Sequence, residues 1–376
     1  MKTLLIKLTI VFQLILLSYC GRKDDYYIGE KIAKKTVLFY ISGNNDLRNE
    51  AFSTIKKIQK GIKEIDGSVI AYVKTDKHNS YLLRVRYSLE ERIISDTLKI
   101  YQNSNSSDPN FLQKVVADSR SFAPADSYGL ILWSHATSWL PKAKAVNTKS
   151  FGNDNGFEMD LLDLKRALPN DLDFILFDAC YMGSIEVMYE LRNKAKYFIS
   201  SPAEVLASGF PYQDCTADLF AGEEGLKRVC ESFFNYYQTK KGPYASATVS
   251  LIDAKKLNLI PAGIKRIIED TDKLQINISG VQKLNFQNGS DLLSSYDLLD
   301  LISKNYPTNK LYNLERSLEN VVIYKANTNF FLNQKINSYS GLSVFVGKKT
   351  KKTYLDAYKK LEWNKDTNWI NYFKTT

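Results

Sequence analysis

Two stretches decide the fold: YGLILWSH, residues 128–135, and LDFILFDAC, residues 172–180. In each, an unbroken apolar run rich in β-formers leads straight into chemistry-bearing residues, Ser134 and His135 in the first, Asp178 and Cys180 in the second. A run that is apolar on both of its faces must be covered on both, which marks a strand inside a sheet sandwiched by helices. Working outward, TVLFYISGNND (36–46) reads as a strand stopped by a Gly-Asn-Asn-Asp turn, and SVIAYVKTD (68–76), SYLLRVRY (80–87), YFISSPAEV (197–205) and SATVSLID (246–253) read as further strands. Between them lie amphipathic helices. In residues 47–65, Phe52, Ile55, Ile58 and Ile62 recur at three- and four-residue steps, and similar patterns run through 109–123, 159–169, 182–195 and 226–238. The alternation predicts an α/β fold with a mostly parallel central sheet, whose sites gather at the carboxyl ends of its strands. Residues 255–376 read as a C-terminal α/β extension packed on the main sheet.

Those strand ends carry the candidate chemistry. If the sheet is parallel, His135 and Cys180 project from one edge. A thiolate is a nucleophile, and an adjacent imidazole can help generate it and later protonate a leaving group. Residues after Cys180 read as opening a helix, whose outward amides would stabilise a thiolate and an oxyanion. The chain's other histidine, His78, sits in a polar loop and reads as solvated.

The chain has 376 residues, 44% hydrophobic and 24% charged, with a formal net charge of +10. Its lysines are scattered rather than gathered into one stripe interleaved with aromatics, so nucleic acid is not the expected partner. Lys2 and Lys7 precede an apolar run from Leu8 to Leu17, the pattern of an export signal over residues 1–19. The stretch LLSYCGRKDD (16–25) resembles a bacterial lipoprotein cleavage site. That resemblance implies acylation of Cys20, a tether over residues 20–35, and export with lipid anchoring to the outer membrane or cell surface. Cys180, Cys215 and Cys230 then remain, and an odd number leaves a free thiol. Cys215 and Cys230 are left either paired or buried and inert. No CxxC or histidine-rich spacing suggests structural zinc.

The segments LWSHATSW, LDFILFDACYMGSIEVMYEL and FISSPAEVLASGFPY together resemble the clostripain family of cysteine peptidases, members of the caspase-like clan. VLFYISGNNDL, FGNDNGFEMDLLDLKRAL and SGLSVFV match further landmarks, so the resemblance spans most of residues 36–346. It implies a caspase-like α/β/α sandwich, with residues 36–254 as the peptidase domain. It also implies a secreted or surface-anchored cysteine endopeptidase that cleaves proteins or peptides after Arg or Lys. His135 becomes the general acid/base and Cys180 the nucleophile. Asp178 becomes the acid of the P1 pocket, with Glu204 adding charge by position alone. The oxyanion site is formed by the amides of Cys180 and Ala136. Relatives carry glycine where this chain has Ala136, which would restrict φ there. A catalytically weak or inactive surface-binding lipoprotein is the alternative that this departure raises. Relatives also cut themselves after a basic residue between the histidine and the cysteine. Here Lys142, Lys144 and Lys149 fall in that linker, with Lys149–Ser150 the expected cut. No cofactor is expected, and the Ca²⁺ requirement of some relatives is left open.

Overall fold

The computed structural model describes residues 32–141, 150–269, 276–286, 294–347 and 350–372. The signal segment, Cys20 and the linker lysines Lys142, Lys144 and Lys149 lie outside the described residues. The main sheet contains nine strands, numbered along the chain. They are β1 (Ala33–Ser42), β2 (Gly67–Lys74), β3 (Asn79–Val85), β4 (Ser95–Gln102), β5 (Ala125–Trp133), β6 (Leu172–Asp178), β7 (Ala195–Ser200), β8 (Thr248–Asp253) and β9 (Val322–Asn327). Their order across the sheet is β9-β8-β7-β6-β5-β1-β2-β3-β4. The five strands from β7 to β2 are mutually parallel, and antiparallel pairs extend both edges.

The parallel centre follows from apolar alternation on two faces. Leu130, Leu132, Ile175 and Phe177 point to one core, while Ile131, Trp133, Phe174 and Leu176 point to the other. Helices α1 (Arg48–Gly61), α5 (Tyr212–Cys215) and α6 (Gly222–Gln238) cover the second face. Helices α2 (Pro109–Phe122), α3 (Leu161–Ala167) and α4 (Ile185–Leu191) cover the first, together with helices from the last third of the chain. Each of the last three starts at a side-chain cap, on Asp108, Asp160 and Ser184. Gly129 in β5 is required by packing: a Cβ there would lie 2.2 Å from the ring of Phe174 on the neighbouring strand. This three-layer α/β/α sandwich is the predicted class.

Several local readings shift. The strand β4 has polar residues at most positions because it is an exposed edge, and its sequence carries no buried-strand signal. The stretch read as one strand over 197–205 stops at Ser200, and its remainder becomes a loop. SGLSVFV contributes only Ser343–Phe345, which pairs with Ser295–Asp297 in a separate two-stranded sheet; the late strand that joins the main sheet is β9. Cys215 and Cys230 are both buried and unbonded. His78 is exposed, as its polar loop predicts. Among the described residues no helix is long and apolar enough to cross a membrane.

Candidate active site

Register places the two candidate residues together. Trp133 pairs with Asp178 across β5 and β6, so His135 and Cys180, each two positions further on, leave the sheet at the same level. Both line a cleft of about 310 Å³ with Asp46, Leu47, Asp178, Val205, Leu206 and Gly209. Cys180 sits in a turn rather than at a helix start. Helix α4 begins only at Ile185, because Tyr181 takes a left-handed φ of 62° and the turn is tied sideways to the loop after β7. The ties are Tyr181 N donating to Ala203 O at 2.7 Å and Gly183 N donating to Ser201 O at 2.8 Å. Left-handed backbone at a residue with a bulky side chain is strained, and it persists where the surroundings over-determine it. Amides near the thiol therefore come from this held turn, not from a helix dipole.

The thiol is half-buried and faces the backbone of Val205, whose N–H donates to Sγ at 3.3 Å and whose carbonyl lies 3.6 Å from it. Burial, with Glu204 and Asp178 as like-charge neighbours, pushes the Cys180 thiol up to about 12, against the opposing pull of the Val205 amide. In this arrangement Cys180 is held as a neutral thiol. Asp178 is 5% exposed, and its Oδ2 accepts from Tyr212 Oη at 2.9 Å and Phe210 N at 3.4 Å. Its Oδ1 accepts from no described residue. Burial raises the carboxyl to about 6, countered by those two donors. Described donors thus anchor one of its two carboxyl oxygens.

A family model described as the clostripain family matches residues 39–375. The chain belongs to that family. Clostripain of Hathewaya histolytica is 25% identical over 235 residues, an alignment covering 51% of this chain and 43% of that protein's length. This chain therefore spans less than half of that relative. Two solved structures match over nearly their whole length. A secreted C11 cysteine protease from Bacteroides thetaiotaomicron, in complex with an irreversible peptide inhibitor, has 26% identity and a TM-score of 0.78, covering 90% of this chain and 99% of that one. An inactive zymogen C11 protease from Parabacteroides distasonis has 31% identity and a TM-score of 0.76, covering 89% and 98%. The fold is the caspase-like sandwich of these proteases.

Within this clostripain-family site, one residue was not anticipated. Asp46 follows β1, the other neighbour of β5, and its Oδ1 lies 2.7 Å from His135 Nε2. Its signal was present in the sequence: the Gly-Asn-Asn-Asp turn ends a strand at the same sheet edge.

Glu204 does not line the cleft. Its carboxylate accepts from Phe286 N at 2.7 Å, because the loop turns the side chain inward behind the thiol. Ala136 answers its own question. It forms an antiparallel bridge with Phe151 in which the hydrogen bonds come from the residues on either side, Gly152 N to His135 O and Thr137 N to Ser150 O. A residue in such a position turns its own N–H away from the partner strand. Its φ is outside the left-handed region, so the position does not require glycine. Ser150, the residue after the expected cut, is buried, with its Oγ donating to Leu140 O at 2.6 Å. Glu186 and Glu190 on α4 bond Phe345 N, Tyr358 Oη, Lys165 Nζ and Glu362 N, which fastens the late elements to the sandwich. Among the described residues no cluster of three or more His, Cys, Asp or Glu is arranged to hold a metal.

Proposed function

We propose that this protein is a cysteine endopeptidase that cleaves polypeptides after Arg or Lys, using Cys180 and His135. The observation that carries the reading is the single cleft that Cys180, His135 and Asp178 line together. A guanidinium or ammonium at P1 pairs with the buried carboxylate of Asp178, where a charge-assisted bond is strong. The scissile carbonyl then lies by the turn that holds Cys180. The thiol passes its proton to His135, and the thiolate attacks the carbonyl carbon. The resulting oxyanion is met by the amides of Cys180 and Ala136. The imidazolium gives its proton to the departing amine as the C–N bond breaks. Water then hydrolyses the thioester, releasing the acid and restoring the thiol. Asp46 orients the imidazole and stabilises its charged form, a positioning role at 2.7 Å from Nε2.

The Val205 contacts describe a resting nucleophile. Self-cleavage at Lys149–Ser150 is the proposed activating event, in keeping with the zymogen described for one relative. Because Ser150 is buried, that bond reaches a protease cleft only after Ser150 withdraws from Leu140. Export by the amino-terminal signal and anchoring through acylated Cys20 complete the proposal, with a secreted protease among the similar structures in support. Cleavage of Arg- or Lys-ended fluorogenic peptides by the wild type and its loss in Cys180→Ala is the test. Undiminished hydrolysis by that variant would sink the assignment.

A further inference from the structure

A second pocket, of about 470 Å³, lies on the same edge of the sheet as the catalytic cleft. It is lined by Phe234 and Gln238 from the end of α6, by Gly242 and Ala245, and by Asn327, Thr328, Asn329, Phe330 and Asn333 beyond β9. Among the described residues no ionisable side chain lines it, although 24% of the chain is charged. Four of the nine residues carry carboxamides, and Phe330 stands 52% exposed at the rim. Carboxamides both donate and accept, and so match the alternating groups of an extended polypeptide backbone.

Register ties this pocket to the thiol. Leu176 pairs with Ile199, Ser200 with Ser250, and Thr248 with Asn327, so the strand-to-strand steps bring Thr328 to the level of Cys180. Three strand spacings separate β6 from β9, roughly 14 Å, which about four extended residues span. The two sites also share a wall. Gly209 of the cleft accepts from Tyr237 Oη at 2.9 Å, and Tyr237 lies next to Gln238 on α6. Phe331, beside Phe330, packs in a buried cluster with Ala203, whose carbonyl holds the Tyr181 turn. Phe330–Phe331 pairs with Gln334–Lys335 in a short hairpin whose turn is left-handed at both positions, Leu332 at φ 44° and Asn333 at φ 66°, a strained conformation at the leucine.

We infer that this pocket is a distal substrate site, taking an uncharged stretch of the same extended polypeptide whose Arg or Lys occupies the cleft. The inference rests on the peptidase reading above. It predicts that length, several residues away from the scissile bond, raises specificity.

The test compares a short fluorogenic Arg peptide with an internally quenched peptide carrying the same central residues and eight Ser, Asn and Ala residues on each side. The expected result is about a ten-fold higher kcat/KM for the long peptide, equivalent to about 1.4 kcal/mol of added transition-state binding. Phe330→Ala and Asn329→Ala should each erase much of that advantage and leave the short peptide unaffected. Equal rates for both lengths, or equal losses on both, overturn the inference while leaving the peptidase reading intact. Binding of the long peptide, fluorescein-labelled, to Cys180→Ala gives a readout free of turnover. An unchanged Kd on adding Phe330→Ala overturns the inference even if no substrate is cleaved. Binding of a neutral polysaccharide that Phe330→Ala abolishes, with no dependence on peptide length, would make the pocket a carbohydrate site and also overturn it.

Discussion

His135 Nε2 and Asp46 Oδ1 lie 2.7 Å apart, joining the ends of two neighbouring parallel strands across the rim of the cleft. The Asp46 side chain is 80% exposed, so the pair contributes little to folding. In the proposed mechanism its effect belongs to the imidazolium formed during turnover. Asp46→Ala should lower kcat by about ten-fold, about 1.4 kcal/mol, with KM and Tm nearly unchanged. Steady-state kinetics beside a thermal melt check this, and a drop in Tm with no change in kcat would remove Asp46 from the mechanism.

Asp178 sets a pH dependence whose sign follows from burial. Its carboxyl is raised from 3.8 to about 6, so the folded state holds a proton that the unfolded state releases near pH 4. Between about pH 4 and pH 6 the contribution of Asp178 to stability therefore falls as pH rises, by about 3 kcal/mol at about 1.4 kcal/mol per unit. Asp178→Asn keeps an oxygen for Tyr212 and Phe210 but carries no buried charge. It should melt higher than wild type at pH 7 and lose that advantage near pH 4.

In the proposed role the same carboxylate must be ionised to receive a P1 cation. For wild type, kcat/KM on Arg substrates should fall as pH drops through about 6, while kcat holds to lower pH because the bound cation favours the ionised form. Asp178→Asn should lose most of the preference for Arg or Lys over a neutral P1 residue. Retained basic preference in that variant would place the P1 pocket elsewhere.

The sandwich was legible because strands such as Leu130–Trp133 and Phe174–Phe177 are apolar on both faces, and only the centre of a covered sheet selects for that. The pairing of His135 with Cys180 at one edge was legible for the same reason. Strand β4 was not, since an edge exposed to water can be built from Ser95, Asp96, Thr97 and Lys99. Position alone could not give side-chain direction, so Glu204 was expected in the cleft that it turns away from. Asp46 reads in the sequence only as a turn residue, though its place after β1 puts it one strand from His135.

Ala136→Gly tests whether the departure from the family pattern matters. Ala136 has an ordinary φ and a methyl group buried at 4% exposure. Glycine there should cost about 1–2 kcal/mol through backbone entropy and lost methyl burial. Peptide hydrolysis should not rise, because the amide is already presented. A several-fold gain in kcat would show that the alanine distorts the oxyanion site.

Asp154 carries the last prediction. Its Oδ1 accepts from Asn44 Nδ2 at 2.6 Å, and its Oδ2 accepts from Ser106 N at 2.6 Å and Ser106 Oγ at 3.0 Å. Asn45 Nδ2 donates to Asn153 O at 2.7 Å, and Asn155 N donates to Asn44 O at 3.0 Å, so residues 153–155 grip the loop that presents Asp46. Beneath them the Lys74 ammonium is 1% exposed, with no hydrogen-bond partner among the described residues and Asp154 Oδ2 at 3.9 Å. Removing Asp154 strands that charge, at a cost of about 3–5 kcal/mol. Asp154→Ala should therefore melt far below wild type, and adding Lys74→Met should restore much of the loss by removing the orphaned charge. The double variant still lacks the grip on Asn44. Its kcat should stay about ten-fold low, and adding Asp46→Ala should lower it little further, because both changes release the same imidazole. Fully additive losses would show that Asp154 serves the fold alone.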